Sequence, residues 1–255
     1  LGAVTYGLQP YGSSPMGWGN PWVVASLVGG VGLLVLFVVV ESRVDDPMFR
    51  LNLFSIPAFS LGNLAGLMAS ISRGGLQFIL IIWLQGIWLP RRGYSYESTP
   101  LWASIFLLPL TIGFLVAGPL CGYLSDRYGA RRFAVGGALV TTASFLGLMV
   151  LPVDFPYWAF ALLTFVNGIG SGMFSSPNAA MVMNAVPPAQ RGVASGMRMT
   201  FFNSGSALSI GVFFSLMVVG LAATLPTALA GGLTAQGVPT AVADHLAALP
   251  PVGIL

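Results

Sequence analysis

Lysine is absent from this chain, and cysteine and histidine occur once each, as Cys121 and His245. A lone cysteine excludes an internal disulfide. One histidine with no Cys/His cluster around it offers no metal-ligand spacing, so no metal site and no cofactor are expected. Charge is scarce as well, at 7 % of 255 residues, against roughly 25 % in a soluble domain. The ten arginines and seven acids leave a net charge of +3 spread over short segments, with no basic stripe for nucleic acid. An intramembrane enzyme would need paired acids, HExxH, or a Ser/His or Asp/Asp constellation near the membrane. The only adjacent acids, Asp45 and Asp46, precede Pro47 in a linker, and that class is excluded too.

What is present is apolar: 56 % of the residues are hydrophobic and the mean hydropathy is +0.86. The chain reads as an all-α, polytopic integral membrane protein with the lipid bilayer as its solvent. A spanning helix needs about 20 mostly apolar residues, and the gaps between charges supply such runs at 21–40, 58–85, 101–124, 133–151, 157–182 and 199–222. Gly, Thr and Pro interrupt the last apolar run after Ala222, so 223–249 reads as a loop. Val238, Val242, His245, Leu246 and Leu249 could form a surface helix within it. LGAVTYGL resembles the tail of an apolar segment, and PPVGIL stops as a new run begins. The chain is therefore expected to be a piece of a longer protein.

Alternating the spans places Arg43, Arg50, Arg127, Arg131, Arg132, Arg191 and Arg198 on one side, and only Arg91 and Arg92 on the other. The arginine-rich side is then cytoplasmic. Small residues four apart recur as Gly62/Gly66, Gly118/Gly122, Gly168/Gly172 and Gly192/Gly196. Such pairs let helices approach closely where lipid gives no hydrophobic drive to association.

The stretch GPLCGYLSDRYGARR carries four charges between two apolar runs. Each would cost about 2.5 to 3.5 kcal/mol at a helix centre, so all must sit at the membrane surface. Asp126 can pair with an arginine or cap a neighbouring helix, Gly129 supplies a tight turn, and Arg131 and Arg132 open the next helix. The order Gly122-x-Leu124-x-Asp126-Arg127-x-Gly129-x-Arg131-Arg132 resembles the signature loop of the major facilitator superfamily. ESRVDDPMF, WLQGIWLP, GMFSSPNAAMVMNAVPPAQRGVASGM and NSGSALSIGVFFSLMV are similar to the second half of its fourteen-helix drug:proton antiporter branch.

That resemblance implies a C-terminal transporter half lacking its last helix, whose partners are small molecules, protons and the missing N-terminal half of the polypeptide. Residues 1–56 would hold the end of a preceding helix, an outer loop, one inter-half helix and a cytoplasmic linker. Five transporter helices would occupy 57–222, and 223–255 would lead toward the missing helix. Gly122, Asp126, Arg127, Gly129, Arg131 and Arg132 would form a conformational-switch loop. The membrane would be that of a bacterial or archaeal cell.

Arg73 is the one charge deep inside an expected span, and an intramembrane ionisable residue is a functional hypothesis by default. Asn63, Gly66, Ser70, Arg73 and Gln77 recur at intervals of three and four and share a helix face. Thr164, Asn167, Ser171, Ser175 and Asn178 form a second stripe, and Asn203, Ser206 and Ser209 a shorter one. Asn63, Ser70, Arg73, Gln77, Thr164, Asn167, Ser171 and Asn203 are the expected substrate-path residues, with interhelical hydrogen bonding as the plainer use of the same stripes. No Asp or Glu falls inside an expected span, so a proton carrier should lie elsewhere in the protein. The reading is proton-coupled export of small amphipathic compounds. Uptake of a polar metabolite and a non-transporting membrane subunit are its alternatives.

Overall fold

The computed structural model describes residues 21–44, 49–152, 154–235, 239, 240 and 242. Asp45, Asp46 and the expected surface helix around His245 lie outside the described residues. Among the described residues the fold is all-α. Its long helices are α1 (Pro21–Glu41), α2 (Pro57–Trp83), α5 (Leu108–Tyr128), α6 (Ala130–Val150), α7 (Tyr157–Asn184) and α8 (Arg191–Ala235), with short α3 (Leu89–Arg91) and α4 (Thr99–Phe106) between α2 and α5. Six helical stretches are long and apolar enough to cross a membrane.

The helix boundaries follow local chemistry. Pro90 has no N–H and its ring opposes the carbonyl four residues back, so α2 passes through a π-turn over Leu84–Trp88 and runs into α3. Pro109 acts similarly at the start of α5 and separates α4 from α5 at Leu107, within what the sequence suggested was one span. At the other end, helix continues through Ala223–Ala235 where a loop was expected. Alanine and leucine make up seven of those thirteen residues, but Pro226, two glycines and three threonines outweigh them in propensity, so propensity alone does not explain the extension.

The chain divides into two compact units. In the unit of residues 1–44 and 207–255, α1 shows apolar side chains to its surroundings nearly all round, as a helix solvated by lipid does. The other unit, residues 45–206, is organised on α7, which packs along α5 and α6 and more sparingly on α2. Glycine makes those approaches possible. A Cβ on Gly168 would collide with the Leu110 carbonyl oxygen of α5, one on Gly172 would meet the Gly118 nitrogen at 2.8 Å, and one on Gly137 of α6 would meet the Gly170 carbonyl oxygen at 2.7 Å. Gly192 and Gly196 differ: a Cβ on either meets nothing within 4 Å.

Two apolar clusters occupy opposite levels of this unit. One gathers Leu76, Leu80, Leu84, Trp88, Phe155 and Phe160, with Phe155 stacked on Trp88 at 5.1 Å between ring centres. The other gathers Leu53, Phe59, Val182, Val186, Ala194 and Met197. The two arginines that break the charge asymmetry belong to the first cluster's rim. The Arg92 guanidinium lies 3.8 Å from the Trp88 ring centre and donates to the Phe155 carbonyl at 2.9 Å, while exposed Arg91 reaches Asp154 at 3.9 Å. Arg92 thus has a packing role of its own, and its charge need not report orientation.

Three outcomes test this architecture. Gly168→Leu should abolish monodisperse folded protein in size-exclusion chromatography, whereas Gly192→Leu should leave it intact. Phe155→Ala, which empties a fully buried position, should cost about 3 to 5 kcal/mol of stability, read as a lowered Tm in detergent. In a Cys121→Ala background of the full-length protein, Tyr128→Cys should react with an impermeant maleimide from the cytoplasmic face only, and Tyr96→Cys from the opposite face only. Labelling of both from one face would overturn the orientation.

Candidate transport cavity

Between the two apolar clusters lies a cavity of about 330 Å³. Its level is set by the same order on two helices. Along α2, Phe59 belongs to one cluster, 65–73 line the cavity, and Leu76 to Leu84 belong to the other. Along α7 the sequence runs the opposite way, from Phe160 through cavity residues 167–178 to Val182.

The expected site residues separate into two groups. Ser70, Arg73, Asn167 and Ser171 line the cavity. Gln77 lines a side crevice with Arg73, Leu76 and Leu110. Asn63 lines a third opening of about 10 Å³, together with Asn178 and Arg198, a volume near that of one water molecule. Thr164 and Asn203 line none of these. Thr164 is fully buried and donates its hydroxyl to the Phe160 and Ala161 carbonyls of its own helix, at 2.8 and 3.1 Å, as a short β-branched alcohol readily does. Asn203 is exposed, because α8 turns Arg198 and Phe202 toward the cavity and each residue advances by about 100°.

The wall is held by hydrogen bonds between helices. Asn167 Nδ2 donates to Ser144 Oγ at 2.6 Å, and Ser144 donates to the Thr141 carbonyl at 2.9 Å, joining α7 to α6. Asn178 Nδ2 donates to the Gly62 carbonyl at 3.0 Å, joining α7 to α2. Ser70 donates to the Phe202 carbonyl at 2.7 Å, joining α2 to α8. In membranes such bonds contribute about 0.6 kcal/mol each. The polar stripes therefore serve both uses the sequence left open: they bind helices together and face the cavity. Asn63 donates to the Phe59 carbonyl at 2.9 Å, while its buried Oδ1 has no protein partner.

Arg73 is half-buried and its guanidinium rests 4.1 Å from the Phe114 ring centre of α5. A ring face is an inexpensive neighbour for a cation away from water. The cavity also receives Arg198, with Thr141, Thr142 and Phe145 of α6. Sequence reasoning missed these. It began the last span at Met199 and so left Arg198 at the surface, although Pro187-Pro188 is a helix-start signal that would have put Arg198 two turns inside. On α6, Ala138, Thr141, Thr142 and Phe145 sit at the i, i+3, i+4, i+7 spacing of a single face.

The charged turn is tighter than the sequence suggested. Asp126 and Arg127 end α5, Arg131 and Arg132 begin α6, and Gly129 alone joins the two helices, at φ +96°. Only glycine reaches that backbone region without strain. Asp126 neither caps α6 nor pairs with an arginine among the described residues, because it points outward from the last turn of α5. Asp126 and Arg127 offset one another at the C-terminus of α5, whereas Arg131 and Arg132 oppose the dipole at the N-terminus of α6. Local helix stability does not account for this charge order.

The Major Facilitator Superfamily model matches residues 1–210. The chain belongs to the Major Facilitator Superfamily. Members of the superfamily are multi-pass membrane transporters and not enzymes, in keeping with the six candidate spans among the described residues. The chain is similar to the cephamycin export protein CmcT of Amycolatopsis lactamdurans, 31 % identical over 78 % of this chain and 40 % of that protein. It is also similar to the methylenomycin A resistance protein of Streptomyces coelicolor, 27 % identical over 92 % of this chain and 50 % of that protein. The riboflavin transporter RibZ of Clostridioides difficile is 25 % identical over 75 % of this chain and 41 % of that protein. The chain spans between a third and a half of these relatives and of YhcA, an uncharacterized transporter of this superfamily from Bacillus subtilis.

Asn167→Leu removes the donor to Ser144 and should both lower Tm and reduce transport by the full-length protein. Thr164→Val keeps the shape and should leave transport within about twofold, since its hydroxyl faces its own helix; a larger loss would show that Thr164 reaches cargo.

Proposed function

We propose that this chain forms part of a secondary active transporter that exports small amphipathic compounds in exchange for protons, by alternating access. The observation that carries the reading is the cavity itself: a space of about 330 Å³ lying between two apolar clusters and lined by hydroxyls, amides, two arginines and aromatic rings. Such a lining suits a cargo with an apolar body and a few polar groups. Likeness to proteins named for cephamycin export and methylenomycin A resistance supports export.

In this reading Ser70, Arg73, Asn167 and Ser171 contact cargo, with Arg198 added. Asn63 and Gln77 stand beside the path. Asp126, Arg127, Arg131 and Arg132, around Gly122 and Gly129, act as switch residues whose partners lie outside the described residues. The proton carrier lies outside this cavity, since none of its lining residues is an acid. The membrane would be a bacterial or archaeal cell membrane. Likeness to a riboflavin transporter favours a second reading, transport of a polar metabolite.

The test is accumulation of fluorescent amphipathic dyes of either charge in efflux-deficient bacteria expressing the full-length protein. Export driven by protons predicts low accumulation that rises several-fold with a protonophore. Accumulation equal to that of empty cells for every dye would sink the export reading.

A further inference from the structure

Among the described residues the cavity is lined by two cations and no acid. Arg73 and Arg198 both line it, and the remaining polar groups of its wall are hydroxyls and amides. Among the described residues neither arginine makes an ion pair. Of the described acids, Asp126 and Asp154 are exposed and Glu41 and Glu97 lie at or beside helix termini, and none lines the cavity. Removing a charge from water is costly unless something replaces the lost solvation. Here the protein supplies Arg73 with the Phe114 ring and Arg198 with neutral neighbours such as Asn178. Two like charges in one low-dielectric space also raise each other's cost.

The arginines stand at different levels. Arg198 shares a crevice with Gly62, Asn63 and Gly66, whereas Arg73 lies about two turns further along α2, beside Leu76 and Leu110. An oxyanion would therefore meet a guanidinium near either end of the cavity. Guanidinium presents paired donors that match a carboxylate or phosphate. Phe145, Phe174 and Phe202 line the same space and would take an apolar body.

We infer that the cavity binds amphipathic organic anions, the cargo's acidic group being the counter-charge that Arg73 and Arg198 lack among the described residues. The inference rests on the reading that this cavity is where cargo sits. It narrows that reading from amphipathic compounds in general to those with an acidic group. A cationic amphipath would meet like charge at both arginines.

The test uses purified full-length protein in nanodiscs and three probes sharing one fluorophore: dansylglycine, its methyl ester, and a dansyl quaternary amine. Dansylglycine should bind saturably, and at least tenfold more tightly than the other two. Arg73→Gln and Arg198→Gln should each weaken dansylglycine binding about tenfold or more, while Arg73→Lys should weaken it less than Arg73→Gln, because the charge remains although the paired donors are lost. Tm without probe identifies any variant that fails to fold, and the three-probe comparison on the unmodified protein needs no variant. Equal binding of the ester, no saturable dansylglycine binding, or Gln variants that bind as well as the parent would each overturn the inference.

An anionic lipid headgroup carries the same chemistry. If phosphatidylglycerol displaces dansylglycine and liposomes containing the protein move none of it, the site belongs to lipid and the cargo assignment falls. The two readings fail separately. Export of cationic dyes without dansylglycine binding would sink the anion site alone, and selective dansylglycine binding without export of any dye would sink export alone.

Discussion

The close approach of α7 to α5 and α6 is the constraint on which the rest of this structure depends. Inside a bilayer, apolar side chains gain little by leaving lipid for protein, so helices associate through van der Waals contact and interhelical hydrogen bonds. Both need the backbones near one another. Gly168 and Gly172 bring α7 against α5, and Gly137 with Gly170 brings it against α6. Once α7 is seated, its polar face can only turn toward the space that α2, α6 and α8 complete within the same unit.

That seating explains why the cavity wall is polar and rigid together. A hydroxyl or amide in lipid must find a partner, and Ser70, Asn167 and Asn178 find theirs on neighbouring helices. Thr164 satisfies itself on its own helix and is lost to the cavity. The apolar clusters at either level confine the polar zone between them, so the transition from packed core to open cavity takes only a few residues of α2 and α7. The arginines are the exception to satisfaction by neighbours. Arg92 has both a ring face and a carbonyl, whereas Arg73 has a ring face alone.

The charged turn illustrates a different economy. Gly129 joins α5 to α6 by itself, and Arg131 and Arg132 oppose the dipole of the helix they open.

Composition and the spacing of charges were enough to indicate a helical membrane protein, to expect the six spans that the described residues show, and to place a charged turn around Gly129 at the membrane surface, because each depends on hydropathy and on residue order along one chain. Helical periodicity alone brought Ser70 with Arg73, and Asn167 with Ser171, onto common faces. It could not say which faces meet. Asn203 and Thr164 have the right spacing and point elsewhere, because the rotation of a helix about its axis is set by the neighbours it packs against. Arg198 joined Arg73 only through the fold, since they lie on different helices. A cavity with two cations and no acid is a property of three-dimensional neighbours, and only tertiary structure decides who those neighbours are.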